Sequence, residues 1–277
     1  MVHVRDCLPP TRLSLISRAV IRRGAAAVIA NSGYTARSFG LPGTRRIYNP
    51  VDVARLHPDP AAGAATRAAL GLSATDLVLA VVAQITPWKG QLDALRAFAR
   101  LAPRRPALHL LIAGATTFDA QATRYDNEGY LRALREFATA TGLERRVHFL
   151  GERADVRELL AASDVVLAPS WEEPFGRSIA EAMAMAIPVV ATDVGGPVEI
   201  VRDGVDGFLL PPREPARWAD AIERLLAAPE TRAEMGRQAR RRAVASFGVP
   251  AHVRDVVGVY DAVLAAARDG GSRSVRP

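Results

Sequence analysis

Valine-rich apolar runs alternate with stretches of helical periodicity along most of this chain, and that alternation leaves few folds open. Residues 77–83 (LVLAVVA) are continuously apolar, the pattern of a strand buried on both faces. Residues 91–101 follow with apolar side chains at 92, 95, 98 and 101, a single helical stripe. Further strands are expected at 108–113, 147–150, 164–169, 187–191 and 207–210. Helices are expected at 130–141, 156–162, 177–186, 215–227, 231–246 and 250–268. Strands linked through helices build a parallel sheet covered on both sides. The expectation is an α/β fold: a Rossmann-like parallel sheet with helices on both faces, spanning residues 77–269.

The first fifty residues carry only a helix (12–23), a strand (25–30), a short helix after Asn31-Ser32, and a strand ending at Asn49-Pro50. So few elements cannot bury a core of their own. Residues 1–50 therefore read as the remnant of a partial N-terminal Rossmann-like domain; the competing reading adds them as an edge to the one sheet. Residues 51–76 read as a linker and 270–277 as a disordered tail.

Composition excludes several classes. Half of the 277 residues (49%) are hydrophobic and 23% are charged, which is globular rather than disordered. Charge-free apolar stretches reach only about a dozen residues, too short to span a bilayer. No secretory leader is read at the N-terminus, where Arg5 and Asp6 interrupt any apolar run. One cysteine, Cys7, leaves no internal disulfide and no multi-cysteine zinc site. A cytoplasmic protein is expected. The net charge of +7 comes from scattered arginines without interleaved aromatics, so no nucleic-acid partner is expected. A solvated charged surface is the expected use of that charge, with contact to an anionic membrane or a lipid-linked acceptor as one option.

In open parallel sheets, ligands bind beyond the carboxyl ends of strands. Three loops there are chemically loaded: residues 84–90 (QITPWKG), 170–178 (SWEEPFGRS) and 192–197 (TDVGGP). Lys89 is the single lysine of a chain that otherwise uses arginine, and it falls in a glycine-ended loop. A compact charge with rotatable donors suits a phosphate in a narrow opening; a surface lysine is the competing reading. Glu173 and Glu181 stand eight apart, a spacing that Glu128, Glu136, Glu144 and Glu152 also share. Context distinguishes the pair. A helix begins between them, with free amides at about Gly176, Arg177 and Ser178, and such a start attracts anions. A diphosphate resting there would leave one hydroxyl-bearing end near Glu173 and the other near Glu181. On the residues alone, two surface glutamates remain the alternative.

The run EPFGRSIAEAMAMAIPVVATDVGGPVEIVRDGVDGFLL resembles the signature of glycosyl transferases group 1 (glycosyltransferase family 4), retaining enzymes of GT-B fold. RIYNPVD, PWKG, LIAG and VHFLG stand in the family's order, so the resemblance covers about residues 25–265. It implies a nucleotide-diphospho-sugar donor and no separate cofactor. It implies that Glu173 contacts the donor sugar, with backbone groups of Phe175 and Gly176 beside it. Amides of Arg177 and Ser178 would hold the diphosphate, Glu181 the ribose and Lys89 a phosphate. Arg153 and Asp155 would meet the base, and His3 and Asp6 match a histidine loop that approaches the donor sugar.

Two departures stand out. Ala83-Gln84 replaces the family's Gly-Arg pair, so one cation facing the diphosphate becomes the neutral donor Gln84. The family's N-terminal domain, which holds the acceptor, is mostly missing. The expectation is a retaining, metal-independent hexosyltransferase-like enzyme, truncated and weakly active alone, with an unknown acceptor for which a membrane-associated molecule is one option. A non-catalytic nucleotide-sugar-binding module is the alternative.

Overall fold

The computed structural model describes residues 1–7, 12–116 and 125–272. Two parallel sheets form. The smaller one takes β1 (Val2–Val4), β2 (Val28–Ala30) and β3 (Arg45–Arg46) in the order β1-β2-β3. Helices α1 (Arg12–Gly24) and α2 (Gly33–Phe39) connect them. The opening fifty residues thus hold a sheet of their own and do not extend the larger one.

A helix, α3 (Pro60–Ala69), occupies the stretch read as linker. Asp59 caps it by accepting from the Ala62 amide, and Pro60 begins it where a missing N–H costs nothing. Gly63 lies so close to the Ala161 carbonyl that a side chain would collide, and Leu72 is buried in the second core. Residues 60–72 therefore belong to the larger domain. The physical signal missed was the Asp-Pro helix start ahead of an alanine-rich, weakly patterned helix.

The larger sheet takes β4 (Leu77–Val82), β5 (Leu108–Ala113), β6 (Val147–Gly151), β7 (Val165–Ala168), β8 (Val189–Thr192) and β9 (Gly207–Leu210). Its order is β6-β5-β4-β7-β8-β9 and every pairing is parallel. The chain winds one way from β4 to β6 and the other way from β7 to β9. A crevice therefore opens beyond the carboxyl ends of β4 and β7.

Helices cover both faces, as the buried strand pattern requires. On one face α4 (Gln91–Leu101), α5 (Asn127–Ala140) and α9 (Pro215–Ala227) pack around Leu79, Phe98, Leu134 and Trp218. On the other, α6 (Val156–Ala161), α7 (Arg177–Ala184) and α10 (Pro229–Phe247) pack around Val78, Leu159, Met183 and Phe247. The short α8 (Pro197–Ile200) follows β8.

The last helix, α11 (Val249–Ser272), changes side. Val256 and Val259 pack with Ile29 and Ile47 of the smaller sheet, and His252 Nδ1 lies 2.8 Å from the Tyr48 carbonyl. Residues 249–269, read as part of the larger domain, so complete the smaller one. Helix α11 also continues through 270–272, where a disordered tail was expected; residues 273–277 lie outside the described residues.

Candidate active site

The crevice at the β4–β7 switch holds a cleft of about 830 Å³. Two loops build it. After β4, Pro87–Lys89 form a 3-10 turn closed by Gly90 at φ 72°, a left-handed conformation that favours glycine. A side chain at Gly90 would strike the Pro169 carbonyl, so the two loops touch through backbone. The Trp171 amide also donates to the Trp88 carbonyl at 2.8 Å. Trp171 is held in turn by its Nε1, which donates to Asp93 at 2.8 Å, and by the Arg213 guanidinium over its ring.

This contact brings Lys89 and Glu173 together from opposite loops. Lys89 Nζ donates to Glu173 Oε2 at 2.6 Å and sits 4.0 Å from the Trp88 ring centre. Both side chains are mostly buried, at 16% and 15% exposure. The Ser170 hydroxyl donates to the same carboxylate oxygen at 3.3 Å. Behind it, the Gly196 amide holds the Glu173 carbonyl at 2.7 Å. Gly195 and Gly196 approach that backbone so closely that any Cβ would collide, which accounts for the paired glycines.

Helix α7 starts at Arg177 behind Gly176, whose φ of 101° only glycine adopts freely, and no side chain caps it. Its first amides point outward, as in other anion-attracting helix starts. Glu181 stands one turn along, paired with Arg177 Nε at 3.2 Å. Burial raises its carboxyl above the ordinary range, and Arg177 pulls it back only in part.

The cleft gathers seven of the ten residues expected at the site: Gln84, Lys89, Arg153, Glu173, Arg177, Ser178 and Glu181. Three do not line it. Phe175 turns its ring into the core against Tyr48 and Phe247, because a buried aromatic gains more from packing than from a polar cleft. Gly176 serves as the backbone cap of α7. Asp155 accepts from Arg153 Nε at 2.7 Å, and hydrogen bonding from that side chain is the main cause that holds the Asp155 carboxyl below its ordinary range. His3 and Asp6 do not line it either. His3 lies mid-strand in β1 and Asp6 accepts from the Cys7 amide.

Sequence reasoning missed Gly114 and Ser170. Gly114 closes β5, and a side chain there would meet the Ala83 carbonyl at the mouth of the cleft. The signal was visible: a glycine directly after a continuous apolar run.

The glycosyl transferases group 1 family model matches residues 64–242. The chain belongs to this family. D-inositol 3-phosphate glycosyltransferase of Mycobacterium tuberculosis (strain ATCC 25618 / H37Rv) is 36% identical over 208 residues, covering 72% of this chain and 41% of that protein. The chain thus spans about two fifths of the length of the curated relatives it matches. The Anabaena protein Alr3699/HepE, solved with UDP and glucose, superposes with a TM-score of 0.86 at 32% identity, over 94% of this chain and 71% of that one. Sucrose-phosphate synthase of Thermosynechococcus elongatus gives 0.80 at 28% identity, over 91% and 62%. The two-sheet arrangement is accordingly the GT-B fold of a transferase family. No described helix is long and apolar enough to cross a membrane.

Proposed function

We propose that this chain carries the donor site of a retaining, metal-independent glycosyltransferase acting on a UDP-hexose. One observation carries the reading. The Lys89–Glu173 ion pair faces the uncapped start of α7, with Glu181 one turn beyond. A diphosphate set against the α7 amides would meet Lys89, the sugar would fall to Glu173, and the ribose to Glu181. Arg177 and Lys89 would supply the positive charge, with Gln84 donating a neutral hydrogen bond in place of the usual arginine. The UDP, glucose and UDP-glucose complexes of the Anabaena relative favour uridine as the base.

In a retaining transfer without a protein nucleophile, the leaving phosphate takes the acceptor's proton on the same face of the sugar. Lys89 and the α7 amides then stabilise charge that grows on the phosphate as the glycosidic bond breaks. Glu173 opposes the positive charge developing on the ring. The exposure of Leu15, Ile16 and Val20 on α1, beside Arg22 and Arg23, favours a membrane-associated acceptor over a free one.

Calorimetry with UDP, GDP and ADP in the presence of EDTA tests the donor. UDP binding is expected; binding of none of the three by folded protein removes the reading. Transfer from UDP-glucose followed by NMR of the new anomeric centre tests retention, and inversion refutes it. Binding without any transfer, even with the full-length protein, would leave a nucleotide-sugar-binding module instead.

A further inference from the structure

The loop carrying Glu173 is held from the other sheet. Ser32, fully buried, caps α2 by accepting from the Thr35 amide at 2.9 Å. The same hydroxyl donates to the Pro174 carbonyl at 2.6 Å, across 142 residues of sequence. The Tyr34 hydroxyl donates to Glu172 Oε1 at 2.8 Å. Burial and the Glu172 carboxylate push that hydroxyl up to about 12, so it keeps its proton and remains a donor at working pH. Residues 172, 173 and 174 are thus each tied down: Glu172 by Tyr34, the Glu173 carbonyl by Gly196, and the Pro174 carbonyl by Ser32.

The tie is closed by Glu199. Its carboxylate accepts from the Gly33 amide at 2.9 Å and the Tyr34 amide at 2.8 Å. Glu199 belongs to α8, which begins directly after the Gly196 that grips Glu173. Two short helices, one from each domain, therefore meet over one loop. A side chain at Gly33 would crowd the Glu199 oxygens, so the glycine keeps this approach close.

We infer that Ser32, Tyr34 and Glu199 form a latch that positions Glu173 for the donor sugar, so that seating of the smaller domain sets the sugar site. This rests on the reading of Glu173 as the sugar contact. The three are positioning residues: none lines the cleft. Lys89 and Ser170 hold the Glu173 carboxylate, and the latch holds the backbone from which it projects. Loss of the latch leaves the nucleotide subsite on α7 unchanged and lets the Glu173 loop shift.

The test uses Ser32→Ala and Tyr34→Phe in the full chain, each deleting one hydroxyl; the first removes the α2 cap as well as the bond to Pro174, the second only the bond to Glu172. Affinities for UDP and UDP-glucose are measured together with amide exchange over residues 170–176 and 192–200. The expected result is unchanged UDP affinity and UDP-glucose binding about three- to tenfold weaker, the scale of one or two hydrogen bonds. Exchange should accelerate in those two segments alone, less in Tyr34→Phe than in Ser32→Ala. An unchanged affinity ratio with unchanged exchange overturns the latch. Equal weakening of both ligands, with exchange rising throughout, also overturns it, since Ser32 would then be general structural support. A parent protein that binds UDP-glucose no better than UDP refutes the sugar role of Glu173 itself; localised exchange then decides the latch alone.

Discussion

Lys89 and Glu173, contributed by loops after different strands, form a 2.6 Å ion pair inside the cleft. The lysine offered to a phosphate and the glutamate offered to a sugar are direct neighbours. That suits the linkage between a sugar and its phosphate, which places both groups within a few ångströms. It also means that an incoming diphosphate competes with Glu173 for the lysine.

Lys89→Ala should therefore weaken UDP binding by about 10- to 100-fold while leaving uridine binding nearly unchanged. The lost contact is charge-assisted and worth about 1.5–3 kcal/mol. Calorimetry with both ligands checks it, and equal losses would remove Lys89 from the phosphates.

Glu173→Gln should act in the opposite sense on the two ligands. It releases Lys89 from its carboxylate partner, so UDP affinity should hold or rise, whereas UDP-glucose affinity should fall. Glu181→Ala should weaken both alike if Glu181 holds the ribose. Titration of both variants with both ligands checks the orientation, and matching profiles would reverse or abolish it.

Much of this was legible in the chain. The β4 run is apolar throughout, and β5 and β8 are so apart from His109 and Thr192, because both faces are covered; such runs need no tertiary information to be recognised. The loops holding Lys89 and Glu173 follow from where those strands end. What the sequence withheld was pairing at a distance. Nothing local links Ser32 to Pro174 or Val259 to Ile29. Phe175 is read from its motif as a backbone contact; that its ring packs in the core against Tyr48 and Phe247, 127 residues before and 72 after it, has no local signal.

Gly114→Ala should destabilise the protein and impair nucleotide binding together. The position has φ 154° and a Cβ would meet the Ala83 carbonyl, so the β5 end and the Gln84 loop must separate. Gly142→Ala is the control: its φ of 68° is also positive, in the left-handed region, but its Cβ meets open space. Thermal unfolding and UDP titration of both variants check it. Only Gly114→Ala should lose UDP affinity, and an equal effect in the two would show that the close approach is unimportant.

Acid should destabilise the fold through a histidine pair far from the cleft loops. His109 Nδ1 and His148 Nε2 lie 3.2 Å apart on β5 and β6, with Asp76 3.6 Å from the other nitrogen of His109. Burial is the main cause that lowers both below the ordinary 6.5; Arg146 adds to it at His109 and Asp76 opposes it, while His109 adds to it at His148. The folded state then binds fewer protons than the unfolded chain below pH 6.5. The stability is present above 6.5 and is lost as pH falls through the lowered folded values. Glu181 works against this, since its raised carboxyl takes up a proton in the folded state before the unfolded chain does, which offsets part of the loss as pH falls toward the ordinary 4.5. The midpoint of thermal unfolding should drop between pH 7.5 and 5.5, and His148→Gln should flatten the drop while keeping a hydrogen-bonding partner for His109. His3, also lowered by partial burial and Arg5, should leave a residual slope. An unaltered slope in His148→Gln would assign the acid sensitivity to other groups.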